Sequence, residues 1–232
     1  TQDKVCAVIG PSTSGTSLAV VDEAEKLKTP LLSLGASYRI LFNPKTKKMR
    51  EWVFKTPQTD TMAVEAIYSH LKKRGINKIA IMSVTSGFGK SGRGELLRLA
   101  PKYGMEIIAD ETYGPKDQDM TAQLTKIKGN PPQAIVNWSV GPTQVVVLRN
   151  WKALGMTGTP FYQSHGFGSR KNIKLAAGAA EGVLCPLGGC NVAALLPASK
   201  QKDVTMKYAK DYQAKYNEPL SSFGGHAWDA LY

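Results

Sequence analysis

Two hydroxyl-bearing turns carry the most legible chemistry in this sequence. Lys4-Val-Cys-Ala-Val-Ile-Gly-Pro-Ser-Thr-Ser-Gly-Thr-Ser17 passes from an apolar run into small residues, and Thr29-Pro-Leu-Leu-Ser-Leu-Gly-Ala-Ser37 does the same. The run from Val5 to Ile9 is too short for a helix and predicts a buried strand. After it, Ser14-Gly-Thr-Ser17 opens a segment with helical spacing at Leu18, Val21, Ala24 and Leu27. A strand that turns into a helix N-terminus presents unpaired backbone N–H groups and the positive end of the peptide dipoles. A carboxylate or phosphate suits such a place. Ser14 and Thr16 also suit plain helix capping, but two such turns close together favour a ligand site.

Other residues with chemical potential carry less. Ser86-Gly-Phe-Gly-Lys-Ser91 looks like the tail of a phosphate-binding loop, yet Val84 stands where that pattern needs its first glycine. No acidic residue ends the next apolar strand to serve a metal ion. His70 sits on a helical face beside Lys72 and reads as solvated, and His226 enters the last helical pattern and reads as structural. His165 follows Ser164 directly, but adjacent residues without a third orienting group make no nucleophile–base pair. There is no G-x-S-x-G elbow and no metal-ligand spacing, so no cofactor, no metal and no catalysis are expected. Tyr208, Tyr212 and Tyr216 fall at i, i+4 and predict a helix packing face.

The elements that position these residues alternate along the chain. Strand-like runs fall at 5–9, 30–34, 52–55, 78–84, 106–111, 133–137, 160–163 and 182–185. Amphipathic segments fall at 63–73, 90–103, 119–129, 141–154 and 203–216. Turn chemistry separates them at Arg74-Gly-Ile-Asn77, Gly129-Asn-Pro-Pro132 and Leu154-Gly-Met-Thr-Gly158. This alternation predicts an α/β fold of βαβ units with parallel sheets, and ligands outside the carboxyl ends of the strands. Breaks at Lys55-Thr-Pro-Gln-Thr-Asp60 and between Pro186 and Pro197 predict two lobes. Residues 1–57 and 188–232 would form one and residues 58–187 the other.

Composition narrows the partners. The 232 residues are 42% hydrophobic and 21% charged, ordinary for a globular chain. No stretch approaches the roughly 20 apolar residues a membrane-spanning helix needs. The net charge of +12 is spread over helix faces, and Lys45-Thr-Lys-Lys-Met-Arg50 is the one cluster, without a nucleic-acid-binding motif around it. Nucleic acid is therefore not an expected partner. Cys6 reads as a small buried hydrophobe. Cys185 and Cys190 flank Pro-Leu-Gly-Gly and can be bridged or free.

The ordered set of motifs resembles the type I periplasmic binding proteins, specifically the branched-chain amino-acid (Leu/Ile/Val) binding-protein family of ABC importers. Val8-Ile-Gly-Pro-Ser-Thr-Ser-Gly15, Pro30-Leu-Leu-Ser-Leu-Gly-Ala-Ser37 and Phe54-Lys-Thr-Pro-Gln-Thr-Asp60 carry the likeness. So do Lys78-Ile-Ala-Ile-Met-Ser-Val84 with Gly87-Phe-Gly89, Leu148-Arg-Asn-Trp-Lys-Ala-Leu-Gly155, Ala180-Glu-Gly-Val183 and the stretch from Phe223 to Leu231. The resemblance implies two Rossmann-like lobes joined by a hinge, closing on a small ligand. It also implies a monomer in the periplasm that hands its ligand to a membrane ABC permease. Set against that family, the chain reads as a piece of a longer one: a first βαβ unit would precede Thr1, and a last hinge segment and strand would follow Tyr232. Such a piece is expected to expose a sheet edge and an apolar face.

The resemblance also implies the site. Ser14 would donate its hydroxyl, Gly35 its backbone N–H, and Ser37 its hydroxyl and N–H to a ligand carboxylate. Phe88 would cover the ligand and Phe223 would form an apolar wall. Asp60 stands at or near one of the family's two ammonium-binding acids. Where the family has the second, a glutamate, this chain has Ser164-His165-Gly166. Losing that carboxylate removes a charge-assisted hydrogen bond of about 1.5–3 kcal/mol from an α-ammonium. His165 instead suits a hydroxyl, a keto group or a second carboxylate, and Trp138 would supply a flat wall. The expected ligand is an aromatic or keto acid, with a branched-chain amino acid second. The plainer alternative puts His165 in solvent and Trp138 in the core. The fold also serves sensing domains, and an α/β enzyme is a third reading.

Overall fold

The computed structural model describes residues 3–218 and 220–231. Nine strands and eight α-helices alternate through these residues in two parallel sheets and one small hairpin. In the first sheet, β1 (Val8–Ile9), β2 (Leu31–Ser33) and β5 (Val53–Lys55) lie in that order, with Leu31 opposite both Val8 and Val53. Helix α1 (Ser14–Leu27) crosses from β1 to β2, burying Val21 and Ala24 against Leu31, Ile40 and Val53. The hairpin, β3 (Phe42–Asn43) and β4 (Lys48–Met49), carries the basic cluster at its tip and was not foreseen. Arg50 anchors it to Asp22 of α1 at 3.0 Å.

The second sheet has the order β7 (Glu106–Tyr113), β6 (Lys78–Val84), β8 (Ala134–Trp138), β9 (Phe161–Gln163), all parallel. Successive residues of β6 point to opposite faces, and both faces are buried. Ile79 and Ile81 face α2 (Asp60–Lys73) and α3 (Gly87–Tyr103), meeting Tyr68, Leu71, Leu96 and Leu99. Ala80 and Met82 face α4 (Thr121–Gly129) and α5 (Thr143–Ala153), meeting Leu124, Ile127, Val147 and Leu148. Threonine or serine caps open the site-bearing helices: Thr13 for α1, Thr59 for α2 and Ser86 for α3. Gly104, at φ +68°, ends α3 in the left-handed conformation. Beyond β9, α6 (Arg170–Ala176) leads through a 3₁₀ stretch, Gly189–Leu195, to α7 (Lys200–Tyr216) and α8 (Ser222–Asp229).

Several expectations are corrected. Strand β1 keeps only Val8 and Ile9, both about 40% exposed at the open edge of the sheet, and Val5 and Cys6 are exposed. Among the described residues this strand pairs only with β2, which leaves its outer side uncovered. Val20 and Leu27 of α1 are exposed beside it, so an apolar edge of the expected kind is present. Thr13, not Ser14, caps α1, because Thr13 keeps extended backbone while Ser14 is already helical. The 182–185 run forms a single bridge, Leu184 to Tyr162, rather than a strand. His70 is not merely solvated: its Nδ1 lies 3.0 Å from the Tyr162 hydroxyl. The tyrosine row of α7 is a packing face as expected, Tyr208 lying on the Trp228 ring of α8 at 5.4 Å, although no residue of α7 is fully buried. Cys185 and Cys190 are free thiols. The helical pattern toward the chain end includes Tyr232, which lies outside the described residues.

The doubly covered sheet makes a prediction. Ile81→Ala, at a fully buried position, is expected to cost about 2–5 kcal/mol in urea denaturation. Val204→Ala, on the exposed face of α7, is expected to change stability by less than about 0.5 kcal/mol.

Candidate functional site

Parallel strands return through crossover helices, so the loops at their carboxyl ends all emerge on one edge. In this chain those edges of the two sheets face each other across a cleft with about 500 Å³ of free space, including solvent at its mouth. The first sheet contributes Ser12, Thr13 and Ser14 after β1, Leu34 and Ala36 after β2, and Pro57 and Gln58 after β5. The second contributes Phe88 after β6, Val140 after β8, and His165 and Gly166 after β9. Helix α8 adds Ser222, Phe223 and His226. The walls are largely apolar, and the polar groups concentrate at the α1 N-terminus and at the two histidines.

The residues proposed from sequence divide into two layers. Ser14, Phe88, His165 and Phe223 line the cleft. Gly35, Ser37, Asp60 and Trp138 stand behind it. Ser14 Oγ accepts the Ser37 N–H at 3.1 Å, which braces the second turn on the first and leaves the Ser14 hydroxyl proton free to donate. Both N–H groups expected to face a ligand are used inside the protein: that of Ser37 by Ser14, and that of Gly35 by Ser33 Oγ at 3.1 Å. The Ser37 hydroxyl is paired with Ser91 Oγ at 2.7 Å. Gly35 is needed for space, since a Cβ there would come 2.8 Å from Ile40 Cδ1 and 3.0 Å from Ser17 Oγ.

Trp138 is fully buried and touches the cleft only through other rings. It lies 6.0 Å from Phe88 and 5.6 Å from His165, which itself meets Phe88 edge-on at 5.2 Å. The expected flat wall is thus a supporting plate, and Val140 takes the wall position two residues later. His165 does not face solvent. Its side chain is 8% exposed, and Nε2 lies 3.9 Å from Oδ1 of the fully buried Asp60. Beneath it, a buried chain of hydrogen bonds holds the strand ends. Tyr113 OH donates to Asn137 Oδ1, Asn137 Nδ2 to Gln163 Oε1, and Gln144 Nε2 to Gly166 O, at 2.8–3.2 Å.

Among the described residues, neither ring nitrogen of His165 and neither oxygen of Asp60 makes a hydrogen bond of normal geometry, although the Ser91 hydroxyl lies close enough to the Asp60 carboxyl to favour its charge. Buried polar atoms left in this way are costly. Burial pushes the Asp60 carboxyl up to about 7, against the pull of the nearby Ser91 hydroxyl and Lys55 ammonium, with Glu95 adding to the rise. Burial, helped by Lys55 and His226, pushes His165 down to about 3. Near neutral pH the floor of the cleft is therefore a neutral imidazole beside a carboxyl that is largely uncharged below pH 7.

Sequence reasoning missed Lys55, Ser91 and Val140, and assigned His226 to structure alone. Lys55 Nζ donates to Pro57 O at 2.6 Å and Gln58 O at 3.1 Å, and burial lowers it to about 8. The lysine precedes the Pro57 turn that enters α2, and no local pattern marks it. His226 lines the cleft, and the Thr56 hydroxyl, donating to His226 O at 2.8 Å, ties α8 to the segment between β5 and α2. The glycine-rich Ser86–Ser91 stretch has a packing role: Ser86 caps α3, and Gly89 lies against the Val84 backbone with no room for a side chain.

The whole chain, residues 1–232, matches the family described as periplasmic binding protein, and it belongs to that family. An extracellular ligand-binding receptor from Rhodopseudomonas palustris HaA2 is 30% identical, with a TM-score of 0.86 over 99% of this chain and 63% of its own. The branched-chain amino acid transporter substrate-binding protein LivJ from Streptococcus pneumoniae, in complex with isoleucine, is 25% identical. Its TM-score is 0.78 over 100% of this chain and 63% of its own. The leucine binding protein LivK from Thermotoga maritima MSB8 shares the fold, with a TM-score of 0.84 at 20% identity over 99% of this chain and 63% of its own. The present chain thus spans 63% of the length of these structures. No curated protein matched. Among the described residues no helix is long and apolar enough to cross a membrane.

The buried pair sets opposite pH slopes. For His165 the unfolded chain binds a proton between pH about 3 and 6.5 that the folded one does not, so its contribution to stability rises with pH. For Asp60 the folded chain holds a proton between pH about 4 and 7 that the unfolded one releases, so its contribution falls. The two oppose each other where they overlap. In thermal melts, stability of Asp60→Asn relative to the parent is expected to rise from pH 4 to 6.5. That of His165→Asn is expected to fall over the same range.

Proposed function

We propose that this chain is the solute-capturing part of an extracytoplasmic binding protein that delivers a small carboxylate to a membrane ABC permease, and that it is a binder rather than an enzyme. The observation that carries the reading is the cleft itself, with an exposed helix N-terminus on one side and, on the other, the nearly buried His165 with Asp60 behind it. Ser12, Thr13 and Ser14 at the start of α1 suit a carboxylate. The largely apolar wall of Leu34, Ala36, Pro57, Phe88, Val140 and Phe223 suits a hydrophobic body. In this reading Ser14 contacts the ligand, and Gly35 and Ser37 shape the turn behind it. Residues 1–57 with 188–232 form one lobe and 58–187 the other, closing as a monomer around a hinge.

The floor favours an aromatic or keto acid over an amino acid. An α-ammonium needs dense negative charge, and the pair Asp60 and neutral His165 offers at most one carboxylate, itself reluctant to ionise. A keto or hydroxyl oxygen instead meets a neutral imidazole donor, which makes good a bond the protein leaves open. The LivJ complex with isoleucine keeps a branched-chain amino acid as the second reading.

A thermal-shift panel of phenylpyruvate, benzoate, 2-oxoisocaproate and leucine tests this. A ligand at about 100 times its Kd is expected to stabilise by about 2.7 kcal/mol. The aromatic or keto acids are expected to respond and leucine to stay silent; a leucine response with silent acids overturns the ligand class. Ser14→Ala is expected to weaken the responding acid by about 1–3 kcal/mol in calorimetry. His165→Glu, which places a second carboxylate beside Asp60, is expected to weaken keto acids and admit leucine.

A further inference from the structure

The two lobes meet at a contact between bare backbones. Gly15 is the second residue of α1, which packs on the first sheet, and Gly87 is the first residue of α3, which packs on the second. A Cβ on Gly87 would lie 2.6 Å from Gly15 Cα and 2.9 Å from Gly15 N, closer than real Cβ contacts allow. The arrangement is asymmetric. A Cβ on Gly15 would lie 3.8 Å from Gly87 N and 3.9 Å from its Cα, an ordinary contact distance. One turn further along α3, Ser91 Oγ lies 2.7 Å from Ser37 Oγ with both residues buried. Ser37 is itself held by Ser14 Oγ. A bonded line therefore runs from the ligand-facing Ser14 of the first lobe, through Ser37, into α3 of the second.

We infer that Gly87 and Ser91 are the latch on which the lobes close. Gly87 lets the helix N-termini approach to backbone contact, and Ser91 holds the closed register through Ser37. Both contacts cross from lobe to lobe, so both are lost on opening. A substitution that blocks them shifts the population toward the open form without touching either core. Alanine at Gly87 would otherwise favour a helix, so loss of closure and loss of folding have opposite signatures. The inference rests on the hinged-lobe reading above but on no ligand.

Disulfide trapping in the full chain tests it. Ser37→Cys and Ser91→Cys are introduced with Cys6→Ser, Cys185→Ser and Cys190→Ser, and bridging between positions 37 and 91 under oxidised glutathione is timed by mass spectrometry without ligand. The hydroxyl separation leaves two sulfurs close to bonding distance. The bridge is expected to form, to slow about 10-fold when Gly87→Ala is added, and to keep its rate within about 2-fold with Gly15→Ala. Gly87→Ala alone is expected to enlarge the radius of gyration in X-ray scattering at an unchanged urea midpoint. Absence of the bridge, equal slowing by both alanines, or no effect of Gly87→Ala overturns the latch. Should Gly87→Ala lower the urea midpoint, Ser91→Ala decides, since it adds no volume: expansion in scattering supports the latch and an unchanged radius overturns it. Silence of the acid panel with intact trapping would refute the ligand class and leave the latch standing.

Discussion

The structure depends on one constraint: neighbouring strands in each sheet run parallel, so each connection must cross back over the sheet before the next strand begins. Two consequences follow. The crossover helices cover the faces of the second sheet, which explains why β6 is apolar at successive positions rather than alternating. The loops at the carboxyl ends of the strands are delivered to one edge, and facing two such edges makes the cleft. Ser14, Phe88, Val140 and His165 follow the carboxyl ends of four different strands and line one cleft for that reason.

Around the cleft, buried polar groups that pair within the fold stand beside buried polar groups that do not. The chain from Tyr113 through Asn137 to Gln163 pairs its buried polar groups and fixes the ends of β8 and β9. One loop further on, His165 and Asp60 are just as buried and have no such partners. Their displaced protonation is the physical response to that burial, since each group sheds charge that it cannot pair. His165 lies edge-on against the aromatic rings of Phe88 and Trp138. The hydroxyl line Ser14–Ser37–Ser91 joins the start of α1 to α3.

Much of the fold was legible because its signals are local. The seven-residue run Lys78–Val84 is a strand by composition and length, and it appears with those bounds. Helices α2, α3, α4 and α5 follow the apolar periodicity, with boundaries moved by a few residues toward their caps. The weakest predictions were those whose outcome depends on a neighbour. Val5 to Ile9 looks like a buried strand, but only Val8 and Ile9 pair, and only with β2. The 182–185 run has strand composition and makes only one bridge. Helix α7 has a tyrosine stripe with little to pack on beyond α8 and the preceding 3₁₀ stretch.

The site divides along the same line. Sequence by itself determined the α/β alternation and the hydroxyl turns after β1 and β2. These are properties of residue type and short-range order. Only the tertiary structure decided that Trp138 supports rather than lines the cleft, that Asp60 and His165 share a buried pocket, and that His226 and Lys55 lie close to it. It also decided that Ser37 bonds to Ser91, 54 residues away. Such facts depend on which loops a parallel sheet brings side by side and on how much water is left between them, and neither quantity is carried by any local run of residues.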